Sequence, residues 1–397
     1  MDIERKVFVL YAGGTFGMKP NKEGKLFPER LQMIQDFIIQ HGMLYERKPG
    51  ESVDDTRRRI NTSDGFITLY TQLYKDDPNA KEKGYKILYK FDGLQNPIDS
   101  SSATPENWSE MAKIILDNAE VYDGFVIIHG TDTMAYTSSA LSFILGHINK
   151  PVIVTGAQIP IFEPRTDGIS NLVNSMLMAG YFSDKSILHK VMLCYHNKLF
   201  QGNRVMKVDC DSFDVFESPE VCPLVSLETT IKFSTTEEKK EKPKDHLNLK
   251  AVFKMKEALN VRILQFFPGI TETYVRGILN GADGVVLQTF GAGNVPEENW
   301  LKDCLMEANK KNILMLNCTQ VYRGTVVPIY AASEILRKAE VIPGYDITPV
   351  AAMTKMIWVL KLTSNVQERR KLMERSVYGE SSAPPMQLNL EFILKEE

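Results

Sequence analysis

The chain has 397 residues, 43% hydrophobic and 24% charged, with 47 Lys and Arg set against 50 Asp and Glu. A core of that size exceeds one typical domain, so two domains are expected, and neither a disordered nor a fibrous protein fits. A formal charge of −3 supplies no electrostatic footprint for nucleic acid. The cysteines, Cys194, Cys210, Cys222, Cys304 and Cys318, are odd in number and hold no Cys-x-x-Cys pair, which argues against a disulfide scaffold or a zinc site and for reducing cytosol. The first ten residues carry Asp2, Glu4, Arg5 and Lys6 rather than a secretory apolar stretch, and no later run is long enough to span a membrane, so a cytoplasmic protein is expected.

In chain order, residues 6–11 form an apolar run that reads as a strand buried on both faces. It ends in Ala12-Gly13-Gly14-Thr15-Phe16-Gly17, a glycine-opened turn that displays a threonine hydroxyl. Alone, this motif is equally a tight turn with a helix cap or a phosphate cradle. It lacks the spacing of a dinucleotide fold, and no P-loop follows, so nucleotide binding is disfavoured. Residues 46–86 are polar and read as loops and irregular helix, with Arg57-Arg58-Arg59 beside Glu51, Asp54 and Asp55 as solvated surface.

A helix is expected over 105–119, opened by Thr104 as N-cap and Pro105 in the first turn. The strand 124–128 then runs into His129-Gly130-Thr131-Asp132-Thr133-Met134, a second threonine at a strand end, followed by a helix over 134–147. Strands over 152–155 and 190–195 flank a helix over 168–181. This alternation predicts an α/β fold: a larger N-terminal domain whose mainly parallel sheet is flanked by helices. In such sheets the ligand crevice lies beyond the carboxyl ends of the strands, where both threonine motifs fall. Lys207, in Gly202-Asn203-Arg204-Val205-Met206-Lys207, is a candidate base for Thr131 and Asp132, since a lysine held in a dry site can lose its proton.

Residues 235–245 are nearly all charged, and the stretch 229–258 is expected to link domains at 1–228 and 259–397. Beyond it, strands over 261–267, 284–288 and 313–316 alternate with helices over 271–279, 299–311 and 348–362, which predicts a smaller α/β domain with a parallel sheet.

Gly13-Gly14-Thr15, Asp99-Ser100-Ser101, His129 to Met134, Thr155-Gly156-Ala157-Gln158, Asp167-Gly168, Gly202-Asn203-Arg204 with Lys207, and Phe290-Gly291-Ala292-Gly293-Asn294 occur in order over nearly the whole chain. Together they resemble the bacterial-type L-asparaginase family, most closely its cytosolic type I branch. The resemblance implies hydrolysis of asparagine to aspartate and ammonia without a metal or an organic cofactor. It implies Thr15 as nucleophile, Thr131, Asp132 and Lys207 as a second catalytic triad, and Asp99, Ser100 and Ser101 as the segment holding the substrate's α-amino and α-carboxylate groups. Backbone N–H groups near Thr131 and Ala157 would hold the oxyanion. Asn294 and Tyr330 are implied as further site residues, Asn294 reaching a neighbouring subunit in a homodimer or homotetramer.

Four positions depart from the family's common pattern. Ala12 stands where a threonine is usual, and Gly24-Lys25-Leu26-Phe27 carries no lid tyrosine. Ser102 replaces a second acid, and Val321 follows Thr319-Gln320 where a cysteine is associated with cooperativity. The competing readings are a glutaminase-asparaginase or other small amino-acid amidohydrolase, and a non-catalytic amino-acid sensor. The first differs by one methylene of bound substrate, worth about 1–3 kcal/mol. The second has no need of Thr15, Thr131, Asp132 and Lys207 together.

Overall fold

The computed structural model describes residues 4–48, 50–62, 65–69, 86–234, 259–327 and 334–382. They divide into two compact units, one of 1–202, 207–217 and 222–242, the other of 203–206, 218–221 and 243–397.

The first unit is built on β1 (Glu4–Gly13), joined by the hairpin of β2 (Met18–Pro20) and β3 (Leu26–Pro28), then β4 (Ile67–Thr68) and β5 (Lys86–Ile98). Next come β6 (Gly124–Ile128), β7 (Val152–Thr155), β8 (Val191–Tyr195) and β9 (Lys198–Gln201). A small ribbon pairs β10 (Met206–Lys207) with β11 (Phe216–Glu217), and β12 (Val225–Leu227) and β13 (Ile231–Phe233) complete the large sheet. Its order is β13-β12-β9-β8-β7-β6-β1-β5-β4, parallel from β5 through β8 and antiparallel outside.

Alternate residues of β1 take opposite faces, as the pleat requires. Val7, Val9 and Tyr11 join a core with Leu172 and Met176 of one flanking helix, while Phe8, on the other face, meets Tyr122 with ring centroids 5.1 Å apart. Burying each such Val, Leu or Phe side chain contributes about 1.5–3 kcal/mol, which is why these runs carry almost no polar residues. The unit's helices are α1 (Leu31–Ile38), α2 (Val53–Thr62), α3 (Pro105–Asp117), α4 (Met134–Ile144) and α5 (Gly168–Ala179). Thr104 caps α3 as expected, with Pro105 in its first turn and the Asn107 carboxamide accepting from the Thr104 N–H at 2.9 Å.

Three features differ from expectation. The stretch 46–86 contains the regular helix α2, and 70–85 lies outside the described residues. β5 follows it as a thirteen-residue strand unmarked by any long apolar run, because only Ile87, Tyr89, Phe91 and Leu94 are buried. The Arg57 to Arg59 triplet is not all solvated surface. Arg58 is exposed, but Arg59 turns inward to Glu51 at 3.1 Å and the Tyr45 hydroxyl at 3.1 Å, and Arg57 pairs with Asp36 at 2.8 Å. A helix places successive residues 100° apart, so three adjacent arginines cannot share one face. Of the stretch expected as a linker, 231–233 is the edge strand β13, and 235–258 lies outside the described residues.

The second unit holds a four-stranded parallel sheet, β14 (Val261–Gln265), β15 (Gly284–Thr289), β16 (Leu314–Thr319) and β17 (Ile342–Pro343), in sequential order. Its helices are α6 (Glu272–Leu279), α7 (Asn299–Lys310), α8 (Glu334–Lys338), α9 (Pro349–Leu362) and α10 (Val366–Glu374). Thr271 and Thr348 cap α6 and α9 through their hydroxyls. Two ion pairs are buried here: Arg204 with Asp346 at 3.0 Å, and Lys355 with Glu380 at 2.7 Å.

Candidate active site

β1 is the strand at which the chain changes direction across the sheet. From β1 it passes to the neighbour β5 on one side, then returns to β6 on the other. Parallel sheets open a crevice at such a switch point, beyond the strand carboxyl ends, because the outgoing loops diverge. Three of the sequence motifs leave from there: Gly13-Gly14-Thr15 from β1, Asp99-Ser100-Ser101 from β5 and His129-Gly130-Thr131 from β6.

Backbone contacts draw these loops together. Gly13 and Gly14 adopt φ of +122° and +81°, conformations that favour glycine. A Cβ on Gly13 would stand 2.1 Å from the Ile98 carbonyl oxygen, and the Gly14 N–H donates to that same oxygen at 3.0 Å. The Thr15 turn is held from behind by the Ile161 N–H, which donates to the Phe16 carbonyl at 2.8 Å, and by Gly168 beneath the Phe16 ring. Ser100 is buried, its hydroxyl against the Gly130 Cα, and its carbonyl accepts from Thr133 Oγ1 at 2.7 Å. Asp99 caps the short turn that follows by accepting from the Ser101 N–H at 3.1 Å. Asp99 and Ser101 are exposed while Ser100 is not, so the three have different access to a ligand.

The structure brings Thr131, Asp132 and Lys207 together. Lys207 Nζ lies 3.1 Å from Thr131 Oγ1 and 2.7 Å from Asp132 Oδ1. The direction of the first bond follows from Gln158. Its Nε2 faces the carbonyls of Ser212 at 3.2 Å and Cys210 at 3.3 Å, which can only accept, so its Oε1 faces Thr131 Oγ1 at 3.1 Å. The Thr131 proton therefore goes to Gln158, and Lys207 donates to Thr131. In this arrangement Lys207 is a donor to both Thr131 and Asp132. Asp167 fixes the Gln158 loop, accepting from the Gln158 N–H at 3.0 Å, the Ile159 N–H at 3.1 Å and the Tyr195 hydroxyl at 2.8 Å. Both Gln158 and Asp167 lie in motifs visible in the sequence, but only the fold aims Gln158 at Thr131 and sets Asp167 behind it.

Ala157 is fully buried just past β7. Asn294 belongs to the second unit, in the turn after β15, where its backbone bridges Phe290. Tyr330 lies outside the described residues. Among the described tyrosines, Tyr11 lies beneath the Thr15 turn: a Cβ on Gly17 would stand 2.4 Å from its hydroxyl. Burial, reinforced by Glu29, pushes the Tyr11 pKa well above the ordinary phenol value. In the second unit, Val321 is exposed beside Gln320, whose Nε2 donates to the Phe266 carbonyl at 3.2 Å. Among the described residues there is no cluster of three or more His, Cys, Asp or Glu able to hold a metal ion, and no helix long and apolar enough to cross a membrane.

The sequence matches the family model described as Asparaginase, N-terminal, over residues 6–239, and that described as Glutaminase/Asparaginase C-terminal domain over 260–373. It is 32% identical to L-asparaginase 1 of Escherichia coli K12, over 95% of this chain and 98% of that protein. It is 34% identical to an L-asparaginase of Dirofilaria immitis, over 95% of this chain and 60% of that protein. A human protein named 60 kDa lysophospholipase is 34% identical over 97% of this chain and 63% of its own length. The chain thus spans less than two-thirds of the last two relatives. The crystal structure of L-asparaginase I from Vibrio cholerae superimposes with a TM-score of 0.74 at 29% identity, covering 96% of this chain and all of that one. With both family models matched and a full-length relative above 30% identity, this chain belongs to the asparaginase family and is similar to its type I members.

Proposed function

We propose that the chain is an L-asparaginase that hydrolyses L-asparagine to L-aspartate and ammonia, with Thr15 as nucleophile. The observation that carries this reading is the meeting, at one switch point, of the Thr15 turn with a Thr131 hydroxyl already bonded to Lys207 and Gln158. In the first step Thr15 Oγ adds to the side-chain amide carbon, and the carbonyl oxygen becomes an oxyanion held by backbone N–H groups. Collapse of that intermediate breaks the C–N bond, and the nitrogen takes up the proton lost by Thr15 and leaves as ammonia. Water then adds to the Thr15 ester, and aspartate departs as the hydroxyl is restored.

Lys207, as donor to Thr131 and partner of Asp132, provides positive charge that raises the acidity of the attacking water as it gives up its proton. Asp99 and Ser101, exposed at the mouth of the same crevice, are suited to the substrate's ammonium and carboxylate. The relatives' names favour the amide over an ester substrate, since two asparaginases of Escherichia coli and Dirofilaria immitis stand beside the lysophospholipase. A homo-oligomer in the cytoplasm is part of the proposal.

The test is ammonia release from asparagine and, in parallel, from glutamine. The unaltered chain is expected to prefer asparagine, and Thr15→Ala and Thr131→Ala are each expected to lose about a thousandfold or more in kcat, as removal of a single member of a catalytic unit does. Normal turnover by either variant overturns the assignment. Asparagine binding by the unaltered chain without any aspartate product would favour an amino-acid sensor.

A further inference from the structure

His129 is completely buried at the end of β6, one residue before the Gly130-Thr131 peptide. Both of its ring nitrogens are engaged. Nδ1 lies 2.8 Å from the Gly130 carbonyl oxygen, and Nε2 lies 3.1 Å from Thr137 Oγ1 on α4. Thr137 Oγ1 in turn accepts from Trp108 Nε1 on α3 at 3.1 Å. The direction of this chain is determined at both ends. An indole N–H only donates and a carbonyl only accepts. Trp108 therefore donates to Thr137, Thr137 donates to Nε2, and Nδ1 carries the proton that goes to Gly130. A neutral imidazole satisfies every group, and burial lowers the His129 pKa in the same sense.

The bond to Gly130 has a consequence on the far side of the peptide. The Gly130 C=O and the Thr131 N–H belong to one planar trans unit and point in opposite directions. With the carbonyl tied to the imidazole, the Thr131 N–H is directed away from the buried ring, and no acceptor for it is recorded among the described residues. Gly130 has no side chain to hold that peptide, and glycine rotates more freely than any other residue. Ser100 and Gly14 crowd its Cα, and the imidazole holds its carbonyl.

We infer that His129 is a positioning residue for the reaction, its Nδ1–H fixing the Gly130-Thr131 peptide so that the Thr131 N–H is presented to the oxyanion of the tetrahedral intermediate. The inference rests on the amide-hydrolase reading above. Trp108 and Thr137 are the outer members of the device, since they set the tautomer of His129.

The experiment compares His129→Leu with His129→Asn, whose Nδ2 stands close to the position of the imidazole Nδ1. His129→Leu is expected to lower kcat for asparagine about 30-fold or more, short of the full 100- to 1000-fold for deleting an oxyanion donor, with KM changed less than about threefold. His129→Asn is expected to recover most of that loss. In ¹⁵N-histidine spectra of the unaltered chain, His129 is expected as the neutral Nδ1–H tautomer. Should His129→Leu fail to fold, Thr137→Val decides in its place: an unchanged kcat and tautomer overturn the inference, and loss of both supports it. Full turnover in folded His129→Leu, no recovery in His129→Asn, or an Nε2–H tautomer likewise overturns it. A chain that releases no ammonia at all fails the functional reading itself, whereas an active chain whose variants keep their turnover fails this inference alone.

Discussion

Gly14 rests directly on Gly130, so that a Cβ on Gly14 would stand 2.3 Å from the Gly130 Cα and amide nitrogen. The two threonine motifs, 116 residues apart in the chain, are in backbone contact because neither carries a side chain at this point. Gly24 supplies the control: its φ of +79° matches the +81° of Gly14, but nothing lies within 4 Å of where its Cβ would be. Gly24→Ala is therefore expected to cost about 1–2 kcal/mol from backbone strain alone. Gly14→Ala is expected to cost at least about 2 kcal/mol more and to abolish turnover, since the contact is with backbone that cannot yield. Urea unfolding of the two variants, side by side, measures the difference.

Gln158 accepts the Thr131 proton at 3.1 Å. Gln158→Leu removes that acceptor and leaves the Thr131 hydroxyl free to rotate, which is expected to lower kcat about tenfold with little change in KM. It also releases the Cys210 and Ser212 carbonyls, but these are near the surface and can turn to water. Steady-state ammonia release, with circular dichroism as the control for folding, checks this outcome.

The Tyr11 hydroxyl is buried and has no hydrogen-bond partner among the described residues. Tyr11→Phe is expected to raise stability by about 1 kcal/mol, because it removes an unsatisfied polar atom without changing the shape of the core. It is also expected to leave kcat unchanged, as the Tyr11 hydroxyl bonds to no site residue among those described. A fall in kcat above threefold, seen at unchanged melting temperature, contradicts this.

Asp346 is buried against Arg204 and accepts from Ser382. Burial raises its pKa, but the hydrogen bonds from Arg204 and Ser382 and the charge of Arg204 outweigh that and hold it below the ordinary aspartate value. A carboxyl whose pKa is lower folded than unfolded stabilises the fold above its unfolded pKa and loses that contribution as pH falls through the folded one. Asp346→Asn is accordingly expected to cost about 3–5 kcal/mol near neutral pH, since it strands the Arg204 charge. The gap between the two proteins should narrow only in acid, below the ordinary aspartate range. Thermal unfolding from pH 7 downward tests the sign; a gap that widens in acid contradicts it.

Much of the fold could be read along the chain because strands buried on both faces, such as β6 and β8, must be continuously apolar. Helices α3, α6 and α9 were equally legible, as their starts are marked by threonine caps, two of them with proline behind. β5 was not. It lies one place from the sheet edge, and only four of its thirteen residues are buried, so its alternation blends into the polar stretch before it. The Arg57 to Arg59 triplet failed for a related reason, because adjacency in sequence says nothing about which turn of a helix faces in.

By itself, the sequence determined that two glycine-bearing turns end parallel strands and display threonines, since strand period, glycine and threonine are all local properties. Only the tertiary structure decided that both turns flank one switch point, because strand order across a sheet is set by which hydrophobic faces pack, not by neighbours in the chain. It alone also decided the hydrogen-bond partners of Thr131 and His129. Apart from the neighbouring Gly130, those partners lie from 8 to 76 positions away, such as Thr137 for His129 and Lys207 for Thr131, and the directions of the bonds follow from carbonyls and an indole that no local pattern reveals.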